Sequence, residues 1–186
     1  HECPDNNQVW IDPSKLSEVI HHVNKQVFIE HESTLDVHYA GTPKEGWEWL
    51  KGLGIGQEFT VRIRGRVPVG FDLDELGPQD IWTSVDGKRI QMTLPPPKIF
   101  EENVSVDFDN SYIVAQRDIC PNWICDSDLK EYQSKALPAA KKDLIARTVE
   151  SDMLSQAARD GKDFYEGFLH ALGFESVEVI VTGYGF

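Results

Sequence analysis

The chain is poor in the residues that usually announce chemistry. Three cysteines in 186 residues are too few for a disulfide-framed miniature fold. With 40% hydrophobic residues the chain can bury a core without them. Basic residues are scarce beside acidic ones, 18 against 31, and the formal charge of −13 is spread along both halves. A diffuse negative surface repels polyphosphate and anionic lipid alike. That excludes nucleic acid as a partner and leaves the membrane only to a separate anchor. No stretch approaches the ~20 apolar residues of a membrane span. There is no G-x-S-x-G, no H-E-x-x-H and no P-loop, so enzymatic function has no support here and a non-enzyme is expected.

What is present reads as one α+β domain over residues 1–186, with 1–11 as a flexible tail. Asp12-Pro13-Ser14-Lys15 has the form of a helix start, with Asp12 as N-cap and Pro13 in the first turn. Leu16, Val19, Ile20, Val23 and Val27 then follow at helical spacing. Leu35, Val37 and Tyr39 alternate with polar residues, the period of a half-buried strand. Phe59, Val61, Ile63, Val67, Val69 and Phe71 keep that period, and Pro68 marks an edge or a bulge. Ile81–Val85, Asp86-Gly87 and Lys88–Leu94 read as a hairpin with a tight two-residue turn, and Pro95-Pro96-Pro97 ends its second strand.

Two short strands are expected at Asn103–Phe108 and Tyr112–Gln116, and a last one at Val177–Val181. Between them, residues 127–172 are helix-rich. Pro138 should kink or restart that run, Gly161 weaken it and Gly173 end it. Its expected buried face is Leu129, Tyr132, Ala136, Ala140, Leu144, Met153, Ala157, Phe164, Phe168 and Leu172. The expected architecture is a largely antiparallel twisted sheet with an N-terminal helix and a long, kinked C-terminal helical segment.

Val69-Gly70-Phe71-Asp72-Leu73, followed by the hairpin and by Leu94-Pro95-Pro96-Pro97-Lys98-Ile99, forms a recognisable order. After a long Ala-containing helical stretch comes Leu172-Gly173-Phe174-Glu175-Ser176-Val177. Over roughly residues 35–181 this resembles the bacterial domain-of-unknown-function family 4230. The resemblance implies a membrane-anchored or exported bacterial protein with a single α+β domain and no assigned activity. It supplies no catalytic residue. The chain begins at His1 rather than methionine, so a leader or anchor is expected to have been removed ahead of it.

Cys120 and Cys125 flank Pro-Asn-Trp-Ile. Thioredoxin-type chemistry wants two residues between its thiols, and structural zinc wants a second ligand pair. A local disulfide between Cys120 and Cys125 suits an exported chain best, and departs from the family pattern. Cys3 is left free, paired between chains, or competing for one partner. Five of the six histidines fall within the first 38 residues. His21 and His22 are adjacent and diverge by about 100° on a helix, so solvated surface histidines are expected and no metal site.

Two features are candidate ligand sites. Arg62, Arg64 and Arg66 occupy alternate positions and so project from one face of a strand. Each finds an Asp or Glu across the sheet, or together they hold an anion. The glycine-rich loop 41–56 carries Trp47 and Trp49, as a partner-binding surface or as caps on the core. Asp107-Phe108-Asp109-Asn110-Ser111 imitates the start of a calcium loop. It fails at its sixth position, Tyr112, and at its twelfth, Asp118. Asp72, Asp74 and Glu75, like Asp126 and Asp128, suit solvated turns and caps better than calcium.

The expectation is therefore a non-catalytic, extracytoplasmic, exported or envelope-anchored bacterial domain that binds a protein partner or self-associates. The alternative is a small-anion or metal-binding domain, and after that a hydrolase of unrecognised type. No cofactor is implied.

Overall fold

The computed structural model describes residues 12, 15, 16, 18, 20, 25–41, 46, 57–118 and 129–186. Along the described chain run seven strands and two helices: β1 Lys25–Gly41, β2 Gln57–Asp72, β3 Ile81–Thr83, β4 Arg89–Leu94, β5 Lys98–Ile99, β6 Ser105–Asp118, α1 Leu129–Glu150, α2 Met153–Ala171 and β7 Ser176–Val181. Strands outweigh helices, and the fold class is α+β. No helix among the described residues is long and apolar enough to cross a membrane.

One sheet is centred on β2, with β1 along one side and β5 on the other. β6 pairs antiparallel with residues 57–66 of β2, and β5 pairs at Val69 and Gly70. Pro68 falls where the partner changes, so its missing N–H breaks no ladder bond. The second sheet has the order β3-β4-β7. Here β4 and β7 run parallel, Arg89 opposite Ser176 through Leu94 opposite Val181. The β2–β5, β2–β6 and β3–β4 pairs are antiparallel, so the expected largely antiparallel character holds, with this one parallel pair added to it. A parallel pair needs a long crossover, and the 81 residues between Leu94 and Ser176 supply one that includes both helices.

The chain divides into two compact units. The first comprises His1–Glu30, Pro68–Phe100 and Ser151–Phe186, the second His31–Val67 and Glu101–Glu150. In the first unit the core gathers Leu16, Ile20, Phe71, Leu73, Met92, Leu94, Tyr165, Leu169, Val179 and Val181. α2 buries Ala157, Gly161, Tyr165 and Leu169, a stripe at every fourth residue. The expected face at Phe164, Phe168 and Leu172 is thus rotated. Phe164 remains 48% exposed and stacks on Phe168 along the flank, because the glycine at 161 draws the helix onto the Phe71 ring. Gly70, from the Gly-aromatic-Asp-Leu run, also has a spatial reason. A Cβ there would lie 1.9 Å from the Gln26 carbonyl oxygen.

α2 ends as the sequence predicts. Gly173 takes φ +102°, its N–H reaches His170 O at 3.0 Å, and the Phe174 N–H reaches Leu169 O at 3.4 Å. This is the paired bonding of a Schellman cap, closed by burial of Phe174 and Leu169 in one core. The helical run breaks at Ser151-Asp152, and α1 continues through Pro138. The hairpin forms with Ile81 opposite Met92. Its turn is longer than the expected two residues, since Ser84 O accepts from Gly87 N–H at 2.9 Å and Ser84 N–H bonds Arg89 O at 3.0 Å. Gly87 supplies the positive φ, 70°.

In the second unit α1 presents Ala140, Leu144 and Thr148 inward, again four apart. The two short strands expected at 103–108 and 112–116 are one strand, β6. Val27 belongs to β1 rather than to a helix, although the described residues 15, 16, 18 and 20 are helical. The remainder of the expected N-terminal helix lies outside the described residues.

Candidate functional site

The alternation of β2 divides its side chains cleanly. Val61, Ile63 and Val67 are buried on one face, which places Arg62, Arg64 and Arg66 together on the other. What each arginine meets depends on β1. His38 Nδ1 bonds Thr60 Oγ1 at 2.8 Å. The Arg62 fork donates to both Asp36 oxygens at 2.7 Å, and Arg66 Nε donates to Glu32 Oε1 at 2.8 Å. These pairs fall in a single antiparallel register, one strand stepping forward two residues as the other steps back two. In that register the residue opposite Arg64 is Thr34.

The middle arginine therefore meets a hydroxyl-bearing residue where its neighbours meet carboxylates. Among the described residues, no carboxylate lies within ion-pair distance of Arg64. Arg62 and Asp36 shift each other as a bidentate pair should. The Arg62 hydrogen bond holds the Asp36 carboxyl below its ordinary value, and Asp36 raises Arg62. Both are solvent-facing, so the pair orders the row more than it stabilises the fold.

The far side of Arg64 is shaped by β6. The register places Tyr112 opposite Arg62 and Asp107 opposite Arg64. Four residues of β6, 108–111, thus stand against the single Ile63 of β2, a bulge larger than the usual two-against-one kind. Asp107 holds the bulge closed. Its Oδ1 accepts from the Asn110 N–H at 3.1 Å, its Oδ2 from Asn110 Nδ2 at 2.7 Å, and its carbonyl from Ser111 Oγ at 2.6 Å. These bonds, chiefly those from Asn110, hold the Asp107 carboxyl below its ordinary value, and the charge of Arg64 adds to them. The stretch that imitates a calcium loop is a self-bonded bulge.

Between β1, β2 and β6 lies a polar cleft of about 720 Å³, whose walls include Glu32, Thr34, Arg64, Arg66, Ser105 and Asp107. All of its lining belongs to the second unit. Glu32 pairs with Arg66, Arg64 and Asp107 stand opposite each other across the strands without an ion-pair contact, and the hydroxyls of Thr34 and Ser105 can donate to an oxygen.

The other candidates disperse. Asp72 caps the 3-10 turn Leu73–Glu75 and accepts from Lys98 Nζ at 2.5 Å, while the same ammonium reaches Glu75 Oε1 at 3.3 Å. That lysine bond is the main cause holding the Asp72 carboxyl low. A cation there would have to displace Lys98. His31 bonds Thr148 Oγ1 at 3.1 Å. His170 donates its Nδ1 proton to the Phe174 carbonyl at 3.0 Å, so these histidines are spent on the fold. Among the described residues no three His, Cys, Asp or Glu side chains gather as a metal would require. Trp47, Trp49, Cys3, Cys120, Cys125, His21 and His22 lie outside the described residues.

Thr34, Glu32, Asp36 and Ser105 were not singled out from sequence. A signal existed in the alternation Glu32, Thr34, Asp36, but it acquires meaning only once β1 is set against β2.

The fold and the cleft together define an α+β domain with an arginine-centred polar cleft. The chain belongs to the family described as protein of unknown function (DUF4230), which it matches over residues 13–179. That extends the resemblance seen at residues 35–181 toward the N-terminus. Neither the curated proteins nor the solved structures compared with the chain match it.

Proposed function

We propose that this chain is a non-catalytic binding domain whose second unit takes a small oxyanion in the cleft on Arg64. One observation carries the reading. In a row of three arginines, two are neutralised across the sheet, and the central one faces Thr34 inside a polar cleft. A guanidinium offers several donors in a planar fork and keeps its charge at all ordinary pH. With both neighbours already engaged, Arg62 and Arg66 brace the site and Arg64 binds.

The test is a thermal-shift series with acetate, sulfate and phosphate at constant ionic strength, on the wild type and on Arg64→Ala. A ligand that binds only the folded state raises Tm in proportion to its occupancy. The wild type should respond to at least one of these anions and Arg64→Ala to none. Identical responses in the two proteins, or none in either, would remove the reading.

The setting we propose is extracytoplasmic, in an exported or envelope-anchored bacterial protein, with a protein partner or a second copy engaging the Trp47/Trp49 loop. Its support is the Cys120–Cys125 spacing and the family resemblance. Native mass spectrometry with and without reductant tests the disulfide. A single bridge gives a mass about 2 Da lower that reductant restores, and three free thiols would count against export. Loss of a captured partner or of self-association in Trp47→Ala and Trp49→Ala tests the loop.

A further inference from the structure

We infer that the anion held on Arg64 is a carboxylate, not a phosphate or sulfate dianion; this rests on the anion-site reading above. The argument begins with the row itself. Across from Arg66 stands Glu32 and across from Arg62 stands Asp36, so the β1 face is written as carboxylate, Thr34, carboxylate. At Thr34 the β1 face lacks the carboxylate that Arg62 and Arg66 each meet. A ligand carboxylate over Arg64 repeats the arrangement two residues away, where both Arg62 donors reach both Asp36 oxygens at 2.7 Å. Fork and carboxylate are planar and satisfy each other two bonds at a time.

A dianion fits less well for two physical reasons. Only one guanidinium in the row has no carboxylate in ion-pair contact, and Glu32, Asp36 and Asp107 stand around it, the charge of Asp107 already offsetting part of its own. A second negative charge on the ligand would point toward those groups. The cost of stripping water from an ion also rises with the square of its charge, and one guanidinium does not offset it twice. The tetrahedral oxygens left over would need several further donors. Two of the nearest, the N–H and side-chain amide of Asn110, are already given to Asp107.

The carboxylate can come from a free small acid or from the end of a peptide, and both present the same two oxygens. In the experiment the Arg Nε–H signals of the intact protein are followed by ¹H–¹⁵N NMR during titration with sodium acetate, N-acetyl-diglycine, sodium sulfate and sodium phosphate. Ionic strength is balanced with NaCl, and Arg64→Lys assigns the Arg64 signal. The expected result is saturable movement of the Arg64 signal with acetate, with N-acetyl-diglycine or with both, at an apparent affinity roughly tenfold above that for sulfate and phosphate. The carboxylate that saturates at the lower concentration identifies the source. Thr34→Glu places a carboxylate in the gap from the protein's own chain, and should abolish the response to acetate while shifting the Arg64 signal without any ligand.

Saturation by phosphate or sulfate at equal or higher affinity would overturn the carboxylate assignment and leave the anion site standing. No saturable movement with any of the four would overturn both. A Thr34→Glu protein that still responds to acetate as the wild type does would also overturn the assignment, because the gap would then not be where the ligand sits.

Discussion

Two glycines on the same helix should respond to the same substitution with opposite signs. Gly161 and Gly167 both lie in α2. A Cβ added at Gly167 meets nothing within 4 Å, whereas one at Gly161 would lie 2.2 Å from Cε2 and 2.8 Å from Cζ of Phe71. The Phe71 ring is fully buried and packs edge-on to Phe28 at 5.6 Å, so it has nowhere to withdraw. Replacing glycine by alanine in a helix interior returns about 1 kcal/mol of backbone entropy at either site. At Gly167 that gain stands alone, and Gly167→Ala should stabilise the protein by about 0.5–1 kcal/mol. At Gly161 overpacking of about 1–3 kcal/mol opposes it, leaving a net loss of up to about 2 kcal/mol by the same principles. For a chain of this length each kcal/mol moves Tm by about 2–4 °C, so the two variants should fall on opposite sides of the wild type. Calorimetric or urea unfolding of the three proteins reads this directly. A Gly161→Ala protein as stable as the wild type would mean that helix and ring are not in contact as described. A destabilised Gly167→Ala would refute the assumption that its site is open.

Three further outcomes are expected. The Asp36, Asp72, Asp86 and Asp107 carboxyls are all held below the ordinary 3.8 by their hydrogen-bond partners, so the unfolded chain binds protons more readily in acid. Stability contributed by these groups is present above pH 3.8 and is lost as pH falls through the lower folded values. Tm measured from pH 6 down to 2 should show that decline, shallower in Asp72→Asn. Gly173→Ala places a side chain at φ +102° and should cost about 1 kcal/mol at the end of α2, visible as a lower urea midpoint with an unchanged slope. Tyr165 is buried, and burial pushes its hydroxyl up to about 12. Ultraviolet titration should therefore show a late-ionising tyrosine. Stability should fall between pH 10 and about 12, and that loss should be absent in Tyr165→Phe.

How much was legible in advance differs from element to element, and the physics says why. β2 declared itself through alternation over Val61, Ile63, Val67, Val69 and Phe71, because up to Arg66 one face meets a core and the other does not, and beyond it the intervening positions are Pro68 and Gly70. Asp86-Gly87, Pro95-Pro96-Pro97 and Gly173 declared turns and ends, because their backbone restrictions are local. β6 was read as two pieces because Asp109-Asn110-Ser111 carries turn chemistry, which here is used within a bulge. Val27 sits at helical spacing from Val23 yet belongs to β1, since pairing with β2 outweighs a one-residue extension of a stripe. The parallel partner of β4 is out of reach of any local pattern. For the site the position is similar. Three arginines on one face follow from spacing alone. That two of them meet a carboxylate on β1 and the third does not follows from the register of β1, and Glu32, Thr34 and Asp36 carry no mark of it in isolation.

The parallel pairing of β4 with β7 also sets an order of events for the first unit. Until residues 176–181 arrive, β4 has only the three-residue β3 on one edge, and Ile90, Met92 and Leu94 lack the Val179 and Val181 side chains beside which they are buried. The contacts that close this sheet are separated by more than eighty residues of sequence, so loop closure must be met before they give any return. A chain growing from its N-terminus therefore carries an unfinished hydrophobic edge from Leu94 until Ser176 is made, across the 81 residues between them. Any shortened form that stops before Ser176 would keep that edge permanently, and would be expected to aggregate through it.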